Sequence, residues 1–109
     1  MNPLPGEVWQ VDLGLKAKSR PAIIVSRDDP DAPRALWIYV PVTSQYRGTK
    51  YEVMLPKVNF LNHGSSANAQ GVGSGLKQDF QRRLGRLPPD VLKAVRQALL
   101  FAVEMGIGP

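Results

Sequence analysis

The chain has 109 residues, room for one hydrophobic core, and 43% of them are hydrophobic, enough to build that core without cross-links. It contains no cysteine, which excludes disulfide frameworks, thiolate metal sites and cysteine nucleophiles and suits a reducing compartment. Fourteen Lys and Arg against nine Asp and Glu leave a formal charge of +5, a balance that favours polyanionic partners because basic side chains displace counterions condensed on phosphates. No stretch approaches the roughly 18 consecutive apolar residues of a membrane span. The start, Met1 to Glu7, lacks the basic end and apolar run of a signal peptide. The expectation is a cytoplasmic protein.

Ten Gly and ten Pro punctuate short runs of strand character, an all-β pattern at this length. The first run is Glu7 to Leu13, closed by Gly14. The second, Pro21 to Ser26, holds the continuous apolar stretch Ala22-Ile23-Ile24-Val25, which suits a strand covered on both faces in the middle of a sheet. Asp28 to Pro33 is acidic and reads as a surface loop. The third run, Ala35 to Val42, carries Leu36-Trp37-Ile38-Tyr39-Val40 and is the strongest strand signal. A fourth, Tyr51 to Leu55, alternates and stops at Pro56. Asn59 to Gly75 is rich in Asn, Gly, Ser and Ala, which predicts loop plus one weak strand near Ala67 to Val72. A last strand is predicted over Arg82 to Leu87.

The period then changes. Val91, Leu92, Val95, Ala98, Leu99, Ala102 and Val103 recur at helical spacing and form one apolar stripe. Pro88 and Pro89 suit a helix entrance, Asp90 complements the N-terminal dipole, and Gly106 is a stop signal. The whole reads as one domain over residues 1–109: a small β-barrel over about 6–87 with a C-terminal helix over about 89–105 packed on it.

Several familiar chemistries are missing. Gly71-Val72-Gly73-Ser74-Gly75 lacks the flanking strand and helix of a dinucleotide loop and reads as a flexible turn. One histidine and no cysteine make a protein-built zinc site improbable, and no metal or other cofactor is expected. A serine–histidine–acid triad would need His63, beside Gly64-Ser65-Ser66.

Four segments, taken together and in order, resemble the MazF/PemK toxin family. Pro5-Gly6-Glu7-Val8-Trp9-Gln10-Val11-Asp12-Leu13 resembles its first strand, and Ser19-Arg20-Pro21-Ala22-Ile23-Ile24-Val25-Ser26 its Arg-Pro step into the second. Pro41-Val42-Thr43-Ser44 is similar to the end of its third strand, and Arg83-Leu84-Gly85-Arg86-Leu87-Pro88 to the entrance of its terminal helix. The resemblance covers nearly the whole chain. It implies a mainly β fold with a C-terminal helix, the SH3-like small barrel shared by MazF, PemK and CcdB. It also implies a homodimer, a cognate antitoxin, and a metal-independent endoribonuclease that cleaves single-stranded RNA through attack of the ribose 2′-hydroxyl.

The resemblance puts Arg20 and Thr43 at catalytic positions, and their chemistry suits the reaction. A guanidinium offers forked donors to a phosphorane-like transition state and keeps its charge. A threonine hydroxyl at a strand end can donate to a phosphate oxygen from a rigid scaffold. The bland alternatives are a solvated charge and an ordinary β-branched strand residue. Lys16, Lys18, Ser44, Arg47, Lys50 and Gln70 are the expected RNA contacts, with Tyr46 and Tyr51 as stacking platforms or, equally, as packing residues. Arg82, Arg83 and Arg86 read as a solvated strand face rather than an RNA rail. Where many relatives carry a basic-x-acidic-Gln segment, this chain has Ala67-Asn68-Ala69-Gln70, so only Gln70 matches and the acidic group is absent. His63 is the chain's one imidazole and the candidate for proton transfer, or, as a lone loop histidine, a bystander.

Two other readings stand beside the nuclease: a barrel that binds RNA or antitoxin without cutting, and a gyrase-directed poison sharing the fold. Dimerisation could use exposed faces of Trp37 and Tyr39 or the helix. The antitoxin is expected to lay an acidic, initially disordered tail across the RNA groove.

Overall fold

The computed structural model describes residues 2–14 and 18–104. Seven strands form in chain order: β1 (Glu7–Val11), β2 (Arg20–Ile24), β3 (Trp37–Thr43), β4 (Glu52–Met54), β5 (Ser66–Asn68), β6 (Gly73–Gly75) and β7 (Phe80–Arg86). Single turns of 3₁₀ helix occupy Ala69–Gly71 and Lys77–Asp79, and one helix, α1 (Pro89–Ala102), ends the described chain. The strands pair antiparallel in the order β4-β5-β3-β2-β1-β7, with β6 also on β3. Strands β4 and β7 are the free ends, so the sheet is curled without being closed by pairing.

The apolar run of the second strand behaves as its composition requires. β2 lies between β1 and β3, and Ala22, Ile23 and Ile24 are all 0% exposed. Alternation then sorts the side chains onto two faces. Val8, Ile23, Val40, Val42, Leu55, Ala67 and Leu87 form the core under α1, which adds Val95 and packs Val91, Leu92 and Leu99 against it. Trp9, Val11, Ala22, Ile24, Tyr39 and Phe80 form a second cluster on the other face. There the Phe80 ring meets Trp9, Trp37 and Tyr39 edge-on at 6.4, 6.0 and 6.2 Å, geometry in which ring edges face π clouds.

Glu7 anchors this second face. It is buried, and its carboxylate accepts hydrogen bonds from the Leu4 backbone N–H (2.8 Å), the Trp9 indole (3.0 Å) and Arg83 Nε (2.7 Å). α1 is tied to the sheet by Arg96 Nε, which donates to the Val25 carbonyl at 3.0 Å. Its first turn holds Pro89 and Asp90, as the sequence predicts.

Several expectations change. Tyr39 is 8% exposed and Trp37 only half-exposed, because both close on Phe80; neither offers the open face expected for dimerisation. The stretch expected as a flexible turn, Gly71 to Gly75, contains β6, paired with Trp37–Tyr39. Gly73 is required there because a Cβ would run into the Tyr39 ring. The weak strand expected over Ala67 to Val72 is β5 followed by a 3₁₀ turn. α1 stops at Ala102, and Val103, counted in the stripe, is 53% exposed beyond it. Gly106 and the helix end expected near residue 105 lie outside the described residues, as does Lys16. Among the described residues no helix is long and apolar enough to cross a membrane.

Candidate active site

The core-facing side of the sheet is not covered along its full length. Beyond Val8, Ile23 and Val40 the same face continues as Gln10, Pro21, Val42, Arg82 and Leu84, and these five side chains line a cavity of about 450 Å³. Its rim holds Arg20, Thr43 and Ser44, and its far wall is the segment Asn59 to Asn62 with Ser65. That wall is held by two contacts. The Ser65 hydroxyl donates to the Asn62 carbonyl. Phe60 lies so close over Gly85 that no Cβ would fit there.

Register brings the two catalytic candidates side by side. β2 and β3 pair with Ala22 opposite Pro41, Ile23 opposite Val40 and Ile24 opposite Tyr39. Continued by two residues, that register sets Arg20, the first residue of β2, opposite Thr43, the last of β3. Both line the same cavity. The Thr43 Oγ1 accepts from the Gln45 N–H at 3.2 Å, which leaves its own hydroxyl proton available to a ligand. Ser66 is fully buried opposite Thr43 and donates to the Gln45 carbonyl at 2.7 Å, fixing the chain just after Thr43. Arg20 is exposed and makes no side-chain hydrogen bond or ion pair among the described residues. Ser19, just before it, donates to the Gln81 side chain at 2.8 Å, bracing the start of β2 against β7.

A second, smaller cavity of about 200 Å³ shares Thr43 with the first. Arg47, Tyr51, Asn68 and Gln70 line it together with Gln45, Thr49 and Glu52. Glu52 organises this loop: its carboxylate accepts from the backbone N–H groups of Arg47 and Thr49 and from the Thr49 hydroxyl (2.8 Å). The Thr49 amide and hydroxyl, followed by the Arg47 amide, hold the Glu52 carboxyl below the usual glutamate value. Gly48, at the tip, has φ +73, a left-handed conformation in which glycine avoids the Cβ clash.

Of the residues singled out from the sequence, Arg20, Thr43 and Ser44 meet at the first cavity, and Arg47, Tyr51 and Gln70 at the second. Lys18 is exposed two residues before Arg20. Tyr46 is 45% exposed and lines neither cavity. Lys50 and Tyr51 both lean on Phe101 of α1, the ammonium 5.6 Å from the ring centroid and the Tyr51 ring 5.1 Å away, so Tyr51 packs as well as lines. His63 is exposed and does not line the first cavity, although Asn62 beside it does. Ala67 and Ala69 are 1% and 2% exposed, turned into the packing, while Asn68 and Gln70, alternating with them, face the second cavity.

Sequence reasoning missed Arg82 and Gln10. The signal was there in the alternation of β7: Arg83 turns to Glu7 on one face, so Arg82 must turn to the other. The first cavity contains no Asp or Glu, so its guanidinium groups face no fixed counter-charge within it. No group of three or more His, Asp or Glu among the described residues converges to hold a metal ion. The arrangement can bind a phosphate, donate hydrogen bonds to its oxygens and stabilise added negative charge.

Comparison with known proteins shows the family. A profile of the family described as PemK-like, MazF-like toxin of type II toxin–antitoxin system matches residues 4–103. The chain is 34% identical over 105 residues to the probable endoribonuclease MazF5 of Mycobacterium tuberculosis, covering 94% of each protein. Its fold is similar to that of an endoribonuclease in complex with its cognate antitoxin from a mycobacterial species, with a TM-score of 0.83 at 24% identity, over 97% of this chain and 99% of the other. MazF of Deinococcus radiodurans is similar at a TM-score of 0.80 and 26% identity, over 96% of this chain and 99% of that one.

Proposed function

We infer from one premise, that the chain belongs to the PemK-like, MazF-like toxins of type II toxin–antitoxin systems, that it is an endoribonuclease acting on single-stranded RNA in the cytoplasm. The observation that carries this reading is the cavity shared by Arg20 and Thr43, free of acidic residues and open to solvent at two strand ends. The 2′-hydroxyl oxygen of the nucleotide before the cut attacks phosphorus. The P–O5′ bond breaks, leaving a 2′,3′-cyclic phosphate on one fragment and a 5′-hydroxyl on the other. Arg20 grips two oxygens of the scissile phosphate with its forked donors, and Thr43 donates its hydroxyl proton to one of them. Both contacts strengthen as negative charge grows toward the phosphorane, which is where catalytic benefit arises. With no carboxylate or imidazole lining the cavity, the 2′-hydroxyl proton passes to solvent hydroxide and the leaving 5′-oxygen takes one from water.

Lys18, Lys16 and Lys50 supply cationic attraction for the strand, and Tyr46 is an exposed stacking surface. Ser44 contacts RNA at the rim of the first cavity. Arg47, Tyr51 and Gln70 contact the nucleotide beside the cut in the second. The same reading includes a homodimer and an acidic antitoxin covering the groove.

The test is digestion of a long single-stranded RNA by the purified chain in excess EDTA, beside Arg20→Ala. The wild type yields discrete fragments with 5′-hydroxyl ends, and a 2′-deoxy substitution at the cut position blocks cleavage. Equal degradation by both proteins, or none by either, contradicts the reading. The same preparation sediments as a dimer at micromolar concentration; a monomer removes that part.

A further inference from the structure

Arg82 has no partner to explain it. Among the described residues it makes no side-chain hydrogen bond or ion pair, whereas its neighbour Arg83 is spent on Glu7 at 2.7 Å. Instead Arg82 lines the cavity that holds Arg20 and Thr43, where no acidic residue offsets it. Two cations facing one open space without a counter-ion repel each other, an arrangement that a bound polyanion relieves.

The backbone singles this residue out. Along β1, Trp9 pairs with Arg83 and Gln10 with Arg82, but the register shifts on both sides of that pair, skipping Leu84 and Gln81. β7 therefore carries a bulge before and a bulge after the two arginines. Bulges re-aim side chains and concentrate beside functional sites. Here they send Arg83 to Glu7 and Arg82 to the cavity. The Ser19–Gln81 hydrogen bond also ties the start of β2 to the first bulge, and pairing of both strands with β1 sets the spacing of the backbones bearing Arg20 and Arg82.

That spacing decides what Arg82 can hold. Thr43 and Arg20 sit at adjacent strand ends of β3 and β2. Arg82 lies on β7, on the far side of β1. Two strand spacings, roughly 10 Å, separate its backbone from that of Arg20. The polar groups thus cross the sheet as a staggered row, Thr43 and Arg20 at the rim and then, one residue along, Gln10 and Arg82, because Gln10 pairs with Pro21 on one side and Arg82 on the other. We propose that this row is a two-phosphate rail, in which Arg20 and Thr43 take the scissile phosphate and Arg82 takes the next phosphate along the same RNA strand. The proposal rests on the ribonuclease reading for the identity of the polyanion. Arg82 is then a positioning residue, acting on where the strand lies rather than on the reacting phosphorus.

The experiment uses the full chain and a short RNA carrying the sequence that the wild type cuts. Phosphates flanking the cut are replaced one at a time by neutral methylphosphonate. For binding, a 2′-deoxy sugar at the cut position prevents turnover. For one flanking position the wild type loses about ten-fold in affinity, a charge-assisted bidentate contact. Arg82→Ala loses the same on the all-phosphate strand and nothing more at that methylphosphonate, and the slope of log affinity against log salt falls by about 0.7. KM rises while kcat at saturating RNA stays within about two-fold, and Arg82→Lys, keeping the charge but losing the forked donors, restores the salt slope and only part of the affinity. Independent, multiplying losses would overturn the proposal, as would unchanged binding or a fall in kcat at saturation. If the wild type cuts no RNA, the salt slope on mixed-sequence single-stranded RNA is read instead. A smaller slope in Arg82→Ala keeps the rail and removes the nuclease, whereas an equal slope overturns the rail. Cutting by both proteins with equal KM removes the rail and keeps the nuclease. No binding by the wild type removes both.

Discussion

Glu7 shows how single residues prepare the site from a distance. Burial on its own would raise the pKa of this carboxyl, but the Trp9 indole, the Arg83 guanidinium and the Leu4 amide outweigh it and hold the group below the ordinary value of 4.5. A depressed folded-state pKa means that the stabilisation is fully present above the unfolded value and disappears as pH falls through the folded one. Glu7→Gln keeps the shape and loses the ion pair with Arg83, so it costs about 2 kcal/mol at pH 7. Urea unfolding of wild type and variant should show that gap closing below about pH 4, and a gap constant from pH 7 to pH 3 would contradict the role. Individual side chains were legible in the sequence where a motif surrounded them. Arg20 and Thr43 stood out because the segments Ser19 to Ser26 and Pro41 to Ser44 resemble motifs of the MazF/PemK family. Arg82 did not, since three arginines within five positions look alike until alternation and a buried glutamate assign Arg83 elsewhere. His63 had the right chemistry on paper, and its exposed place outside the cavity could not be read from a loop of Asn, Gly and Ser.

Elements were legible according to how much apolar periodicity they carry. β2 and β3 announced themselves through Ile and Val runs, and α1 through its stripe. β6 was read as a turn because Gly-Ser-Gly has no strand propensity; it pairs with β3 because only glycine clears the Tyr39 ring. The same logic applies at Gly85 in β7, where the aromatic wall of the first cavity rests directly on the backbone. Gly85→Ala forces Phe60 away and should destabilise the protein by about 1–3 kcal/mol, the usual cost of overpacking. It should also weaken RNA cleavage, because Phe60 is part of the cavity wall. Thermal melting and a cleavage assay check both, and an unchanged melting temperature would show that Phe60 yields freely.

At the scale of the whole molecule, the charge of +5 said that a polyanion was a sensible partner but not where it would sit. The fold answers that. Curling the sheet without pairing β4 to β7 leaves one end of the core-facing side uncovered, and the polar side chains that continue the apolar face line the space. Residues 23 positions apart in the chain reach one rim because β2 and β3 are antiparallel neighbours. Absent charges at Ala67 and Ala69 look like a loss in the sequence, but both positions turn into the packing, and the proposed mechanism assigns charge stabilisation to Arg20 and Thr43 at the first cavity. That joint action is tested most directly by a double-mutant cycle in single-turnover cleavage of one short RNA at saturation, with Arg20→Ala, Thr43→Ala and both together. Groups acting as a unit on one phosphate give a double variant no slower than the worse single one, about 10²–10⁴-fold below wild type, because each is idle without the other. Losses that simply multiply, or a variant of either residue that cuts at the wild-type rate, would mean that the two side chains do not share a phosphate.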